Sequence, residues 1–275
     1  MSNSLPQFRK PPVNEVILSS QFEPLLLMRA VHIGAFWEKI RTRYPRTEEH
    51  PPLDPTIEVF GTPRLVRPEV RLELVDQIKV PRIWMLDLSG AHLLQVQTDR
   101  LIQNWRQVDG VGDYPRYPSV RAQFEESYSA FEQFATDESL GEIAFNQCEV
   151  TYINHILPCA VWENHSQIGE VFAFWNPGYS EVPLPLQEAA FVTTRTVLRN
   201  ESGGTFGRLH LSIQSVYRLP DEVPMFVLSL AVRGAPVGHG LPGVFAFFDR
   251  AREWIVRTFA TVTTSKMHDV WERYA

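Results

Sequence analysis

The chain has 275 residues, 44% apolar and 21% charged, with two cysteines and a net charge of −6. A chain of that length builds a stable core without metals, and two thiols make no disulfide framework, so a reducing, cytoplasmic setting is expected. An acidic balance without a basic face disfavours nucleic acid, and the densest early apolar run, Leu25–Met28, is too short for a membrane span.

Residues 1–12 are polar and proline-containing and read as a flexible arm. Residues 14–23 place Val16, Leu18, Ser20 and Phe22 on one face of a strand. Residues 25–44 switch to helical spacing, with an apolar stripe of Leu27, Ala30, Val31, Gly34, Trp37, Ile40 and Tyr44. Lys39, Arg41 and Arg43 near its end complement the helix dipole. Residues 45–55 carry four prolines and read as a loop. Strands are expected over 56–60, 70–76, 82–89, 91–98 and 100–107, with Gly90 at a turn. A helix over 119–138 buries Val120, Phe124, Tyr128, Phe131 and Phe134.

The second half reads mostly as strand: 142–156, 168–175, 187–199, 205–218 and 225–233. Asn200–Gly204 signals a hairpin. A final helix over 243–260 shows a broad apolar face that includes Val244, Phe247, Phe248 and Phe259, and Thr261–Thr264 breaks it before a short last helix. Few strands alternate with helices, so the expected class is α+β, with antiparallel sheets and helices packed on one face. The chain divides into residues 13–140 and 141–275, two similar sheet-plus-helix halves or one compact domain.

Residues 119–149 hold seven acids and one base, so this segment carries the whole net charge. A solvated helix face is the plain reading, and an acidic surface on helix 119–138 for a basic protein partner is the sharper one.

The familiar chemical motifs are weak. Gly238–Gly243 matches G-x-G-x-x-G, but Pro242 interrupts it and the chain then ends in helix, which disfavours a dinucleotide site. Free amides at that helix start leave an anion site open. Cys148, His155, Cys159 and His165 lack the close pairs of a zinc site, so no metal and no cofactor are expected. Two polar clusters remain. One is Asp99-Arg100 with Asn104-Trp105-Arg106, and the other is Tyr152-Ile153-Asn154-His155. Polar side chains on strands usually form the wet face of an antiparallel sheet. As a site, Arg100, Asn104, Trp105, Arg106, Tyr152, Asn154 and His155 would form a ligand pocket, with Arg100 and Arg106 gripping an anion.

The segments PPVNEVILSSQFEPL, LQVQTDRLIQNWR, YPRY, VTYINHI and the ending FDRAREWIVRTFATVTTSKMHDVWERY run in order over nearly the whole chain. In these the chain resembles an uncharacterised, sporadically distributed family of bacterial proteins. The resemblance implies a bacterial origin and no particular activity. Sporadic distribution points to accessory loci of the defence or toxin–antitoxin type. The expected function is therefore a non-enzymatic binding or regulatory protein. The alternatives are a small-molecule enzyme with His155 as acid or base, and single-strand binding through Trp105, Tyr114, Arg116 and Tyr117.

Overall fold

A computed structural model describes residues 4–61, 80–175 and 188–275. Among these residues nine strands form one antiparallel sheet: β1 (Val13–Phe22), β2 (Arg46–His50), β3 (Arg82–Leu86), β4 (His92–Gln97), β5 (Arg100–Arg106), β6 (Phe145–Ile156), β7 (Phe191–Arg199), β8 (Thr205–Arg218) and β9 (Val223–Gly234). Their order is β2-β3-β4-β5-β1-β6-β9-β8-β7. β1 and β6 lie side by side at the centre. On each side of them the last strand of the run returns to pair with the first, β5 with β1 and β9 with β6.

Helices α1 (Ala30–Ile40), α2 (Tyr117–Asp137) and α4 (Gly240–Val262) cover one face of the sheet. The alternation along β1 sets the faces: Val16, Leu18, Ser20 and Phe22 are all fully buried. Phe36 of α1 meets Phe131 of α2 at 5.4 Å, and Phe124 of α2 meets Phe248 of α4 at 5.1 Å, edge to face in both cases. The expected α2 stripe of Val120, Phe124, Tyr128, Phe131 and Phe134 is buried throughout. Deleting one such ring would cost about 3–5 kcal/mol. The class is α+β with helices on one face of an antiparallel sheet, as the sequence suggested.

Several local expectations need correction. The first helix is shorter than 25–44, and Leu27 and Val31 of the expected stripe are exposed while Ile33 and Phe36 are buried. Apolar residues occupy both sides of this helix, so spacing alone could not choose the buried one. Residues 46–50, expected as loop, form β2, an edge strand whose sequence RTEEH lacks apolar alternation because neither of its faces is buried. Residues 56–60, expected as strand, have no ladder. Residues 168–175 are not a strand either: a 3-10 turn, His165–Gln167, leads into α3 (Ile168–Val171). Asn164 caps that turn through Ser166, and Gln167 reaches back to it, a capping box legible as N-x-x-Q. The strand expected at 70–76 lies outside the described residues.

Elsewhere the punctuation reads as expected. Gly90 turns β3 into β4 with φ 76°. Thr264 caps α5 (Ser265–Val270) by accepting from Met267 N. The N-terminal arm, read from sequence as flexible, is instead hydrogen-bonded to the C-terminal segment: Gln7, Arg9 and Lys10 donate to the carbonyls of Ala275, Glu272 and Trp271, and Phe8 is buried.

Candidate functional site: a polar cleft under a strap

The face of the sheet away from the helices is polar at one end. Gln97 of β4, Arg100 of β5, Gln21 of β1 and Gln147 of β6 stand in one row across four adjacent strands. Residues 53–60 cross the sheet over this row as a strap. Gln97 accepts from Leu53 N at 2.8 Å, Gln21 from Thr56 N at 3.0 Å and Gln147 from Glu58 N at 3.2 Å. Arg100 Nη2 donates to Asp54 O at 3.0 Å and to Gln21 Oε1 at 2.7 Å. Glutamine side chains thus supply the acceptors that a neighbouring strand would otherwise provide. The strap ends on β8, where Glu58 accepts from Arg208 and His210. Burial alone would raise the Glu58 carboxyl, but the His210 hydrogen bond and the charges of His210, Arg208 and Arg233 hold it below its usual range.

Between strap and sheet lies a cleft of about 400 Å³, lined among others by Ser19, Gln21, Arg82, Arg100, Gln147 and Arg233. Three of the residues that line it carry a buried donor with no partner among the described residues: Arg82 Nε, Arg100 Nε and Gln147 Nε2. Arg100 and Gln147 are only 7% and 5% exposed. Burial lowers the Arg82 and Arg100 guanidinium pKa values, and Arg100's charge lowers that of Arg82 further. Arg233 is paired with Glu149. The nearest carboxylate oxygen to Arg100 Nε is on Asp99, 3.7 Å away, and burial raises the pKa of that carboxyl. Three guanidinium groups, Arg82, Arg100 and Arg233, line this hollow against two carboxylates, Asp54 and Glu149, an excess of positive charge and of donors that an anion relieves.

A chain of polar contacts leaves the cleft. Arg82 Nη1 donates to Gln95 Oε1, Gln95 to Asn104 Oδ1, and Asn104 to Glu15 Oε1, at 2.8, 2.8 and 2.7 Å. Burial raises Glu15, against the opposing Asn104 bond and Arg106 charge.

The residues singled out from sequence are distributed over three places. Arg100 is in the cleft. Asn104 and Arg106 share its sheet face, but Arg106 lies six residues along β5 from Arg100, roughly 20 Å away. Arg106 Nε donates to Gly90 O. Trp105, Tyr152 and Asn154 face the helices, where Trp105 is buried against Tyr114 at 5.1 Å between ring centres. His155 is on the polar face near the far end of β6, where burial lowers its pKa. Register places its Cα roughly 12 Å from that of Arg106 and about twice as far from that of Arg100. The structure does not bring Arg100, Arg106, Asn154 and His155 into one pocket.

Among the described residues no three His, Cys, Asp or Glu side chains gather as a metal site. Cys148 is buried, with its thiol pKa pushed up by burial, and His165 is held against Met225 O. The Gly238–Gly243 loop closes on itself: Val237 N donates to Gly243 O and Gly243 N to His239 O. On α2, Glu126 pairs with Arg43, Asp137 with Lys39 and Glu125 with Arg121, so Lys39 of α1 and Arg43 just beyond it answer part of the acidic face. Among the described residues no helix is long and apolar enough to cross a membrane.

Sequence reasoning missed Gln21, Arg82, Gln97, Gln147 and Arg233. The available signal was glutamine recurring inside otherwise apolar strands, at positions facing away from the buried alternation. No family model matches this chain, and no curated protein matches it.

Proposed function

We propose that this chain is a binding protein whose strapped cleft holds a small, hydrophilic anion such as a phosphate or polycarboxylate group. The observation that carries this reading is that Arg82, Arg100 and Gln147, which line one cavity, each hold a buried donor without a partner among the described residues. Each such group costs about 1–3 kcal/mol while unpaired, and more when charged, so a ligand oxygen at that point recovers a large free energy.

Thermal denaturation with inorganic phosphate, sulfate, citrate and chloride at equal ionic strength tests it. A multivalent anion should raise Tm in the wild type and do so less in Arg82→Gln, which removes one free donor. Equal responses to chloride and phosphate, or no loss of response in R82Q, would refute the proposal.

A further inference from the structure

On the opposite face of the sheet, a second cavity of about 270 Å³ lies between α4, the start of α2 and the N-terminal arm. A cavity of about 150 Å³ is enough for a benzene ring, so this one has room for a ring with substituents. Its walls are largely apolar, from Phe8, Val13, Leu230, Ile255 and Phe259, but polar groups stand at two points. At the first, the phenols of Tyr114 and Tyr152 meet at 3.1 Å, and the Arg252 guanidinium lies 5.1 Å over the Tyr117 ring. The nearby acids on α4 are engaged elsewhere: Asp249 accepts from Tyr117 and Arg121, and Glu253 from Arg250. Arg116 is spent on the carbonyls of Phe8 and Arg9. Of the two arginines lining the cavity among the described residues, Arg252 is therefore the one left for a ligand.

The second polar point is Asn154, 2% exposed. Its Nδ2 donates to Leu228 O at 3.1 Å, a carbonyl partner that fixes the amide's orientation. That leaves Oδ1 as an acceptor on the cavity wall. Asn154 follows Tyr152 by two residues on the same side of β6, so their Cα atoms are roughly 7 Å apart.

We infer that this cavity is a second ligand site, for a small aromatic hydroxy acid. The carboxylate sits on Arg252 beside Tyr114 and Tyr152, the ring fills the apolar chamber, and the hydroxyl donates to Asn154 Oδ1. The arm residues Pro6, Gln7 and Phe8 close the chamber from outside. This site is independent of the anion cleft, on the other face of the sheet.

Titration calorimetry with 4-hydroxybenzoate as the probe, on the full chain, tests it. The wild type should bind 4-hydroxybenzoate more tightly than benzoate, and 4-hydroxybenzamide should bind weakest. Arg252→Gln should weaken 4-hydroxybenzoate by about tenfold or more, as expected for a lost charge-assisted bond, and Arg252→Lys by less. Val256→Trp, which fills the chamber from a half-buried wall, should abolish binding. R82Q should bind the probe as the wild type does, which separates this site from the cleft. Unchanged affinity in R252Q, loss of the probe in R82Q instead, or no wild-type binding at about 5 mM would each overturn the inference. Should V256W fail to fold, R252Q, at a half-buried side chain, decides alone.

Discussion

Replacing Gln21 with leucine tests whether the glutamine row holds the strap. Gln21 Oε1 accepts two bonds, from Thr56 N at 3.0 Å and Arg100 Nη2 at 2.7 Å, in a side chain only 5% exposed. Leucine keeps the approximate size and removes the acceptor. Thr56 N–H and one Arg100 N–H then lose that partner at a buried position, and each such donor costs about 1–3 kcal/mol. Arg100 keeps Asp54 O, which limits its share. Added apolar burial returns about 1 kcal/mol, so the expected net loss is about 2–3 kcal/mol. In a domain of this size that lowers Tm by roughly 5–10 °C. Gln21→Glu is the matched control. It keeps the acceptor, places a negative charge against Arg100, and gives up only the bond to Asn146. Urea melts of the two variants should share the wild-type m value and differ in midpoint. If Q21L and Q21E lie within about 0.5 kcal/mol of each other, the smallest difference such melts resolve, the strap is held by something other than this row.

Two further predictions concern pH and backbone. Burial lowers the pKa of His92, His155 and His268 from the ordinary 6.5, so the unfolded chain binds more protons below that pH. Their contribution is complete above about pH 6.5 and is lost as pH falls toward the folded values. Chemical melts should therefore weaken from about pH 7.5 to pH 5.5, and less so in His155→Gln; a gain over that interval would mean that the raised carboxyls Glu15 and Asp99 dominate. A Cβ at Gly234 would stand 2.6 Å from Phe206 O and 2.8 Å from the Phe247 ring, so Gly234→Ala should cost about 2 kcal/mol or more. Gly34, inside α1 with nothing within 4 Å of a built Cβ, should instead gain about 0.5–1 kcal/mol as alanine; equal effects at the two sites would refute the close-approach argument.

Much of the fold was legible because local signals agreed. Alternation in β1, the 3-4 spacing of Val120 to Phe134 and the Asn200–Gly204 turn each point to one structure, and those elements formed as read. Where signals conflicted, tertiary context decided. The stretch 56–60 alternates like a strand, yet its amides go to glutamine side chains, since the strands beneath are already paired with one another.

The sequence by itself determined the class, the central strands, the two long helices and the concentration of acid on α2, because burial of periodic apolar residues does not depend on distant partners. It could not determine which polar residues meet. Gln21, Arg82, Arg100 and Gln147 are spread over 127 positions of chain and become neighbours only through sheet order and register. A strand residue's face follows from its parity, but its place along the face depends on pairing. That is why Arg100 and Arg106, close in sequence, stand at opposite ends of one strand, while Gln21 and Gln147 lie side by side.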